Sequence, residues 1–254
     1  MSGYSGCYHS GLSGLQLPIP KYLFPPPYQD ASRLHYYSTF FNSIEINSSF
    51  YKVPMASTVT KWVSSVADKF TFTFKMWREI THVKGFNFKK SDVAYFLKSV
   101  SGAGIKKGCL LVQFPPGLNK DKGQLIHLLN CIRLYDAGKE WKLAVEFRNK
   151  TWYCEEIYDV LNFFQATLVI HDIPKSATPM LYDNVDFVYV RFHGPSGNYR
   201  DGYPDSILSE YAGLIHDWLN ENKTVYVYFN NTMGDAFKNL ETLNKMMENH
   251  GITF

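Results

Sequence analysis

In FTFTFKMW (residues 70–77) phenylalanine alternates with a smaller or polar residue. A β-strand sends successive side chains to opposite faces, so Phe70, Phe72 and Phe74 share one face while Thr71, Thr73, Lys75 and Trp77 share the other. The run ends in polar residues and a helix-like stretch follows. The chain repeats this arrangement about eight times. The other runs are SIEIN (43–47), CLLVQF (109–114), KLAVEFR (142–148), TLVIHD (167–172), FVYVRFHG (187–194) and TVYVYFNN (224–231), and a shorter, poorer run opens the chain. A helical apolar rhythm recurs over residues 30–41, 57–66, 92–100, 122–135, 155–164, 206–220 and 235–249. Residues 175–184 fit a helix worst, with Pro174 and Pro179 close by, and read as loop.

Alternating strands and helices make βαβ units on a parallel sheet, and about eight units in roughly 250 residues close a TIM (β/α)8-type barrel. The predicted fold is α/β with parallel strands, one domain over residues 1–254. A long proline-rich loop (15–27, with Pro18, Pro20, Pro25, Pro26 and Pro27) follows the first strand.

At 254 residues and 45% hydrophobic content the chain can bury one full core. Its net charge of +3 has no Lys/Arg cluster, so nucleic-acid binding stays open without support. Cys7, Cys109, Cys131 and Cys154 stand far apart without a C-x-x-C, which fits neither zinc spacing nor a secreted disulfide scaffold. All four read as buried thiols, and a reducing cytoplasm is expected. No apolar run reaches the roughly 18 residues that span a bilayer, so no membrane is expected.

Carrying the parity of FTFTFKMW to the other runs turns Glu45, Asn47, Gln113, Glu146, Arg148, Asp172, Arg191, His193, Tyr228 and Asn230 toward the barrel axis with Lys75. Polar residues at strand ends are where barrels place chemistry. Three carboxylates and three cations can also neutralise one another as an inert plug. The favoured reading is a pocket for a small polar anionic molecule. Arg148 and Arg191 would grip a carboxylate or phosphate, with Lys75 as point charge or base. Glu146 and Glu45 are the expected general acid and base, in either order. His193 and His82 are the histidines best placed for proton transfer, Asp172 joins the catalytic set, and His171 should face the helices. Tyr199 and Tyr203, in the glycine-rich loop 193–203, should face a ligand. That loop and NNTMGD (230–235) could hold phosphate on backbone amides.

No cofactor is expected. The competing chemistry is a divalent metal (Mg, Mn or Zn) on Glu45, Glu146, Asp172 and His193, with a metal-activated water attacking a phosphodiester; neighbouring cations and the lack of H-x-x-x-H or H-x-D spacing oppose it. No G-x-S-x-G elbow is present.

SGCY (5–8), IEINSSFY (44–51), ITH (80–82), LVQFPP (111–116), VEFRNKTW (145–152), YVRFHG (189–194) and YVYFNNTMGDA (226–236) together resemble the domain of unknown function 72 family, the YecE-like barrel proteins. The resemblance spans nearly the whole chain and implies a TIM-type barrel but no reaction. It carries the family's recurrent positions onto Glu45, Asn47, Tyr51, Thr81, His82, Gln113, Glu146, Arg148, Trp152, Asp172, Arg191, His193, Asn230 and Asn231. Tyr51, Trp152 and Asn231 thereby join the expected ligand contacts. Where relatives carry Gly-Trp this chain has Gly6-Cys7, which suggests a missing aromatic wall of the pocket. The expected protein is an enzyme of acid–base hydrolysis or isomerisation on a phosphorylated or carboxylated sugar. The alternatives are a metal-dependent phosphodiesterase acting on nucleic acid and a binding protein without catalysis.

Overall fold

The computed structural model describes residues 6–179 and 185–252. Its strands are β1 (Tyr8–Leu12), β2 (Ser43–Ile46), β3 (Thr71–Lys75), β4 (Lys107–Gln113), β5 (Lys142–Glu146), β6 (Ala166–Leu168), β7 (Ile170–His171), β8 (Phe187–Phe192) and β9 (Thr224–Phe229). All pairings are parallel, in the orders β1-β9-β8-β7 and β2-β3-β4-β5-β6. β6 and β7 are two pieces of one interrupted strand, so the segments occupy the positions of an eight-stranded TIM-type barrel. At Val169, between the pieces, the backbone N–H still reaches Val145 O at 2.9 Å, and beyond it His171 pairs with Arg191 of β8.

The other seam, between β1 and β2, is stitched by side chains. Asn42 accepts from Ser10 N (2.8 Å) and donates to Tyr8 O (2.8 Å). The Tyr37 hydroxyl accepts from Leu12 N (2.8 Å) and donates to Ser43 O (3.0 Å). A Cβ on Gly11 would collide with the Ser43 carbonyl, so glycine lets the strands approach there. Buried backbone groups need partners, and these two residues supply them where the ladder lapses.

The longer helices are α1 (Arg33–Tyr37), α3 (Ala56–Ser64), α5 (Lys90–Val100), α6 (Lys122–Tyr135), α7 (Glu155–Phe163), α8 (Asp205–Asn220) and α9 (Ala236–Asn249). α1 is shorter than its apolar rhythm predicts and is capped by Ser32 Oγ, which accepts from His35 N at 3.0 Å. Two one-turn helices, α2 (Ser48–Tyr51) and α4 (Arg78–Thr81), are too short to leave a periodic signal. No helix occurs among the described residues 172–179. Thr178 there hydrogen-bonds Val169 and His171, and residues 180–184 of the expected loop lie outside the described residues. No described helix is long and apolar enough to cross a membrane.

The alternation in FTFTFKMW divides the core in two. Phe70, Phe72 and Phe74 join a large cluster between strands and helices. A separate cluster fills the barrel, with Cys109, Leu111, Ala144, Val169, Phe187, Tyr189, Tyr226 and Tyr228. Two of its tyrosines have engaged hydroxyls: Tyr228 OH meets Ser43 Oγ at 2.6 Å and Thr73 Oγ1 at 2.8 Å, and Tyr189 OH donates to Glu45. Parity fails two residues after β3, where Trp77 leaves the axis and packs on Tyr95 of α5. Cys7 precedes β1, at the end of the barrel opposite the strand C-termini, and is exposed. It therefore forms no wall of a pocket at the other end. Cys154 is half-buried, so only Cys109 and Cys131 are the buried thiols expected.

Tyr37→Phe removes a buried hydroxyl that bonds both strands of the seam. It should cost about 1–3 kcal/mol, read as a lower denaturant midpoint at unchanged slope.

Candidate functional site

At the C-terminal ends of the strands the inward polar residues form a chain of charge across the barrel. Arg191, fully enclosed, donates through Nη2 to Glu45 Oε1 (2.7 Å) and through Nη1 to Glu146 Oε2 (2.6 Å). Glu146 Oε1 accepts from Arg148 Nε. Ser13 Oγ donates to Glu45 Oε1 at 2.6 Å, and the Tyr189 hydroxyl donates to Oε2. Both glutamates are fully buried. Burial pushes the Glu146 pKa up, but Arg148 and Arg191 outweigh it and hold the carboxyl well below the ordinary carboxylate value. Burial opposes the Arg191 charge, and Glu146 and Glu45 more than restore it. Glu146 is thus a fixed anion, which removes it as the proton donor expected of one of the two glutamates.

His193 lies beside this chain. Its Nε2 faces Arg148 Nη2 (3.0 Å) and Arg191 Nη1 (3.3 Å), groups that only donate, so Nε2 carries the lone pair. The proton sits on Nδ1, toward Asp172 Oδ1 at 3.2 Å, and the His193 backbone N–H donates to the same oxygen at 2.9 Å. Burial, with Arg191, lowers the His193 pKa to about 4 against the pull of Asp172. The imidazole is neutral at physiological pH.

Lys75, at the end of β3, is half-buried with its ammonium over the Phe50 ring, 4.3 Å from the centroid. No carboxylate oxygen among the described residues lies within salt-bridge distance of it. Burial and then Arg191 bring its pKa down to about 8. His82, half-buried after α4, stacks edge-on against Phe50 and bonds Thr81 through Nδ1 at 2.9 Å. Burial, with Lys75 and Arg78, lowers its pKa to about 4. Asn47 Nδ2 makes long contacts with Ser13 O (3.4 Å) and Asn230 Oδ1 (3.5 Å), while its Oδ1 is buried without a partner. Gln113 bonds the Phe114 carbonyl, Tyr199 OH accepts from Arg148 Nη1 at 3.3 Å, and Tyr51 stands exposed at the rim.

Three expected ligand contacts point elsewhere. Trp152 is fully buried, stacked on Phe147 and Phe114 on the helix side, with Nε1 donating to Leu118 O at 2.9 Å. Asn231 is fully buried, its amide tied to Asp201 O and Asn239 Oδ1. Tyr203 is buried because its hydroxyl donates to Asp172 and accepts from Gly194 N, so it holds the aspartate that orients His193.

The phosphate-loop expectation is also corrected. The amides of Met233, Gly234 and Asp235 already donate to Tyr199, Asn231 and Asp201. A Cβ on Gly194 or Gly234 would collide with Arg200 or Asp201, so those glycines serve the packing of one loop on the other. His171 is engaged with Phe147 O (2.9 Å) and Tyr153 OH (3.2 Å). Among the described residues no group of three or more His, Cys, Asp or Glu side chains is disposed to hold a metal ion; the guanidinium of Arg191 stands between the two glutamates.

The sequence reading missed Ser13, Phe50 and Tyr189. Parity was a usable signal for Tyr189, two residues before Arg191 on the same face. None existed for Phe50, which belongs to the unanticipated α2.

These features define an α/β-barrel protein with a charged, partly enclosed cluster at the strand C-termini. The chain belongs to the protein family of unknown function DUF72, whose model matches residues 9–253. It is 27% identical over 257 residues to the UPF0759 protein YunF of Bacillus subtilis (strain 168), covering 89% of this chain and 90% of the relative. A DUF72 crystal structure from Enterococcus faecalis superposes with a TM-score of 0.78 at 23% identity, covering 97% of this chain and 99% of that one. One from Thermotoga maritima gives 0.67 at 23% identity, covering 95% and 99%. A D-psicose 3-epimerase from Clostridium cellulolyticum, solved with D-tagatose, shares the fold at a TM-score of 0.51 and 11% identity, covering 86% and 91%.

Arg191→Leu strands two buried carboxylates and should cost about 3–5 kcal/mol in denaturant unfolding. Because the folded-state pKa of Glu146 is depressed, its stabilisation is present above the unfolded value near 4.5 and is lost as pH falls toward the folded value. Melting curves below pH 4.5 should therefore decline less steeply in Glu146→Gln than in the parent.

Proposed function

We propose that the protein is an enzyme that takes a small polar anion, a phosphorylated or carboxylated sugar-like molecule, into the barrel mouth and performs acid–base chemistry on it, isomerisation or hydrolysis. One observation carries this reading. Glu45 and Glu146 are matched by Arg191 and Arg148, Asp172 is engaged behind His193, and Lys75 is left as a cation without a carboxylate partner. The third cation is held in place by no carboxylate among the described residues, and an anionic guest would supply that partner.

Arg148 suits the grip. Its guanidinium has five N–H donors and three are engaged, on Glu146, Tyr199 and His193, which leaves one on each terminal nitrogen for a carboxylate or phosphate. Asn47 Oδ1, buried and unpartnered, is a ready acceptor for a sugar hydroxyl, with Asn230 beside it. Lys75 is the base. With its pKa near 8 a useful fraction is unprotonated at neutral pH, and the neighbouring Arg148 neutralises the carbanion or alkoxide that proton removal creates. Glu45, Glu146 and Arg191 act through position, fixing Arg148 and the surrounding field. The D-psicose 3-epimerase supports the barrel alone and not a shared substrate. The cysteines, unpaired in the structure, fit a reducing cytoplasm, where we place the protein.

A thermal-shift series tests the reading, since a ligand that binds only the folded form raises the melting temperature by mass action. Sugar phosphates and sugar acids should raise it where the parent sugars do not, and Arg148→Met should abolish the difference. Equal shifts with neutral sugars, or an unchanged anion response in Arg148→Met, would overturn it. Where turnover is found, its rate should rise as pH increases through about 8, as Lys75 loses its proton, and Lys75→Met should remove it.

A further inference from the structure

Lys75 is singular among the nucleophilic groups of the mouth. The Ser13 hydroxyl is committed to Glu45, that of Tyr189 to Glu45 and that of Tyr203 to Asp172, while Cys109 lies deeper, within the barrel. The Lys75 ammonium has only the face of Phe50, and no carboxylate among the described residues holds it as an ion pair. Its stem is half-buried on the inward face of β3, so the nitrogen has few places to go.

From this geometry we infer that Lys75 is a covalent nucleophile, forming an imine with a carbonyl compound whose anionic group is held by Arg148. The inference rests on the proposed anion pocket and deepens it: the substrate class becomes 2-oxo acids or phosphorylated aldehydes and ketones.

The Nζ lone pair forms a bond to the carbonyl carbon and the carbonyl π pair moves to oxygen. The carbinolamine oxygen leaves as water, taking both amine protons in total. The imine nitrogen stays over the Phe50 face, and where it takes a proton from solvent, the charge of the iminium is offset by the Glu146 and Glu45 carboxylates and by the anionic group of the bound molecule. The amine must be unprotonated to attack. The charged and titratable groups around it are Arg191, Arg148, Glu146, Glu45 and His82. Burial and then Arg191 bring its pKa to about 8, and His82 is neutral and adds no charge above pH 5 or so.

The test is borohydride trapping with glyoxylate, which joins an aldehyde to a carboxylate, followed by peptide mapping of the intact chain. Hydride reduction of the imine leaves N-carboxymethyl-lysine. We expect the adduct on Lys75 to form on the order of tenfold faster than on surface lysines at neutral pH, because each unit of pKa lowering raises the free-amine fraction about tenfold and lower basicity returns part of that gain. It should saturate with glyoxylate, fall in the presence of inorganic phosphate, lose saturation in Arg148→Met, and rise as pH increases through about 8. If glyoxylate raises the melting temperature in an Arg148-dependent way but Lys75 is labelled no faster than other lysines, the imine is overturned and the anion pocket stands. If glyoxylate neither stabilises the protein nor labels Lys75 selectively, both fall. Mapping is done on the unsubstituted chain, so the result does not depend on whether a Lys75→Arg variant folds.

Discussion

The guanidinium of Arg191 joins β2 to β5 across the inside of the barrel, and the rest of the site is arranged around it. Burying a charge costs several kcal/mol, and only good geometry with further hydrogen bonds offsets that. Here Glu45 takes one terminal nitrogen and Glu146 the other. Ser13 and Tyr189 complete Glu45, and Arg148 completes Glu146. The partners come from β1, β2, β5 and β8 or the residues just after them, so the pairing also fixes the register of distant parts of the chain. Replacing Arg191 or either glutamate leaves a charge less compensated in a medium that tolerates it poorly.

This arrangement changes which groups can do chemistry. Glu146, an obvious acid or base by residue type, is held as an anion by Arg148 and Arg191 and is not a ready proton donor. The same low-polarity surroundings act oppositely on nitrogen bases: both His193 and Lys75 are pushed toward their neutral forms. For His193 the result is an imidazole held by Asp172 and two guanidiniums, a positioning element for Arg148. For Lys75 it is an amine close to its titration point at physiological pH, over the Phe50 ring.

Much of this was legible in the sequence because strand parity is a hard geometric rule. The alternation in FTFTFKMW assigned Thr73 and Lys75 to the axis, and the same rule gathered Glu45, Glu146, Arg191 and His193. It failed where strands stop. Trp77 lies only two residues beyond Lys75 and turns to the helices, and Trp152, Tyr203 and Asn231 sit in connections whose course no periodicity describes. Their residue types suit binding and packing equally well, and here packing prevails. Asn42 and Tyr37 were unreadable for another reason. Their role is to replace missing backbone bonds at a seam, and nothing in a single sequence marks where a ladder lapses.

The seam has a consequence for how the polypeptide is made. β1 takes its backbone partner from β9, more than two hundred residues later, and touches β2 chiefly through Asn42 and Tyr37. During synthesis the five strands from β2 to β6 can pair as they emerge, while β1, made before them, waits for β9 before its main chain is satisfied. Such distant pairing slows ring closure and lengthens the exposure of an unpaired edge. β1, though it precedes the other eight strands, is a late guest at its own assembly, and a chain truncated before Thr224 would leave it without a template.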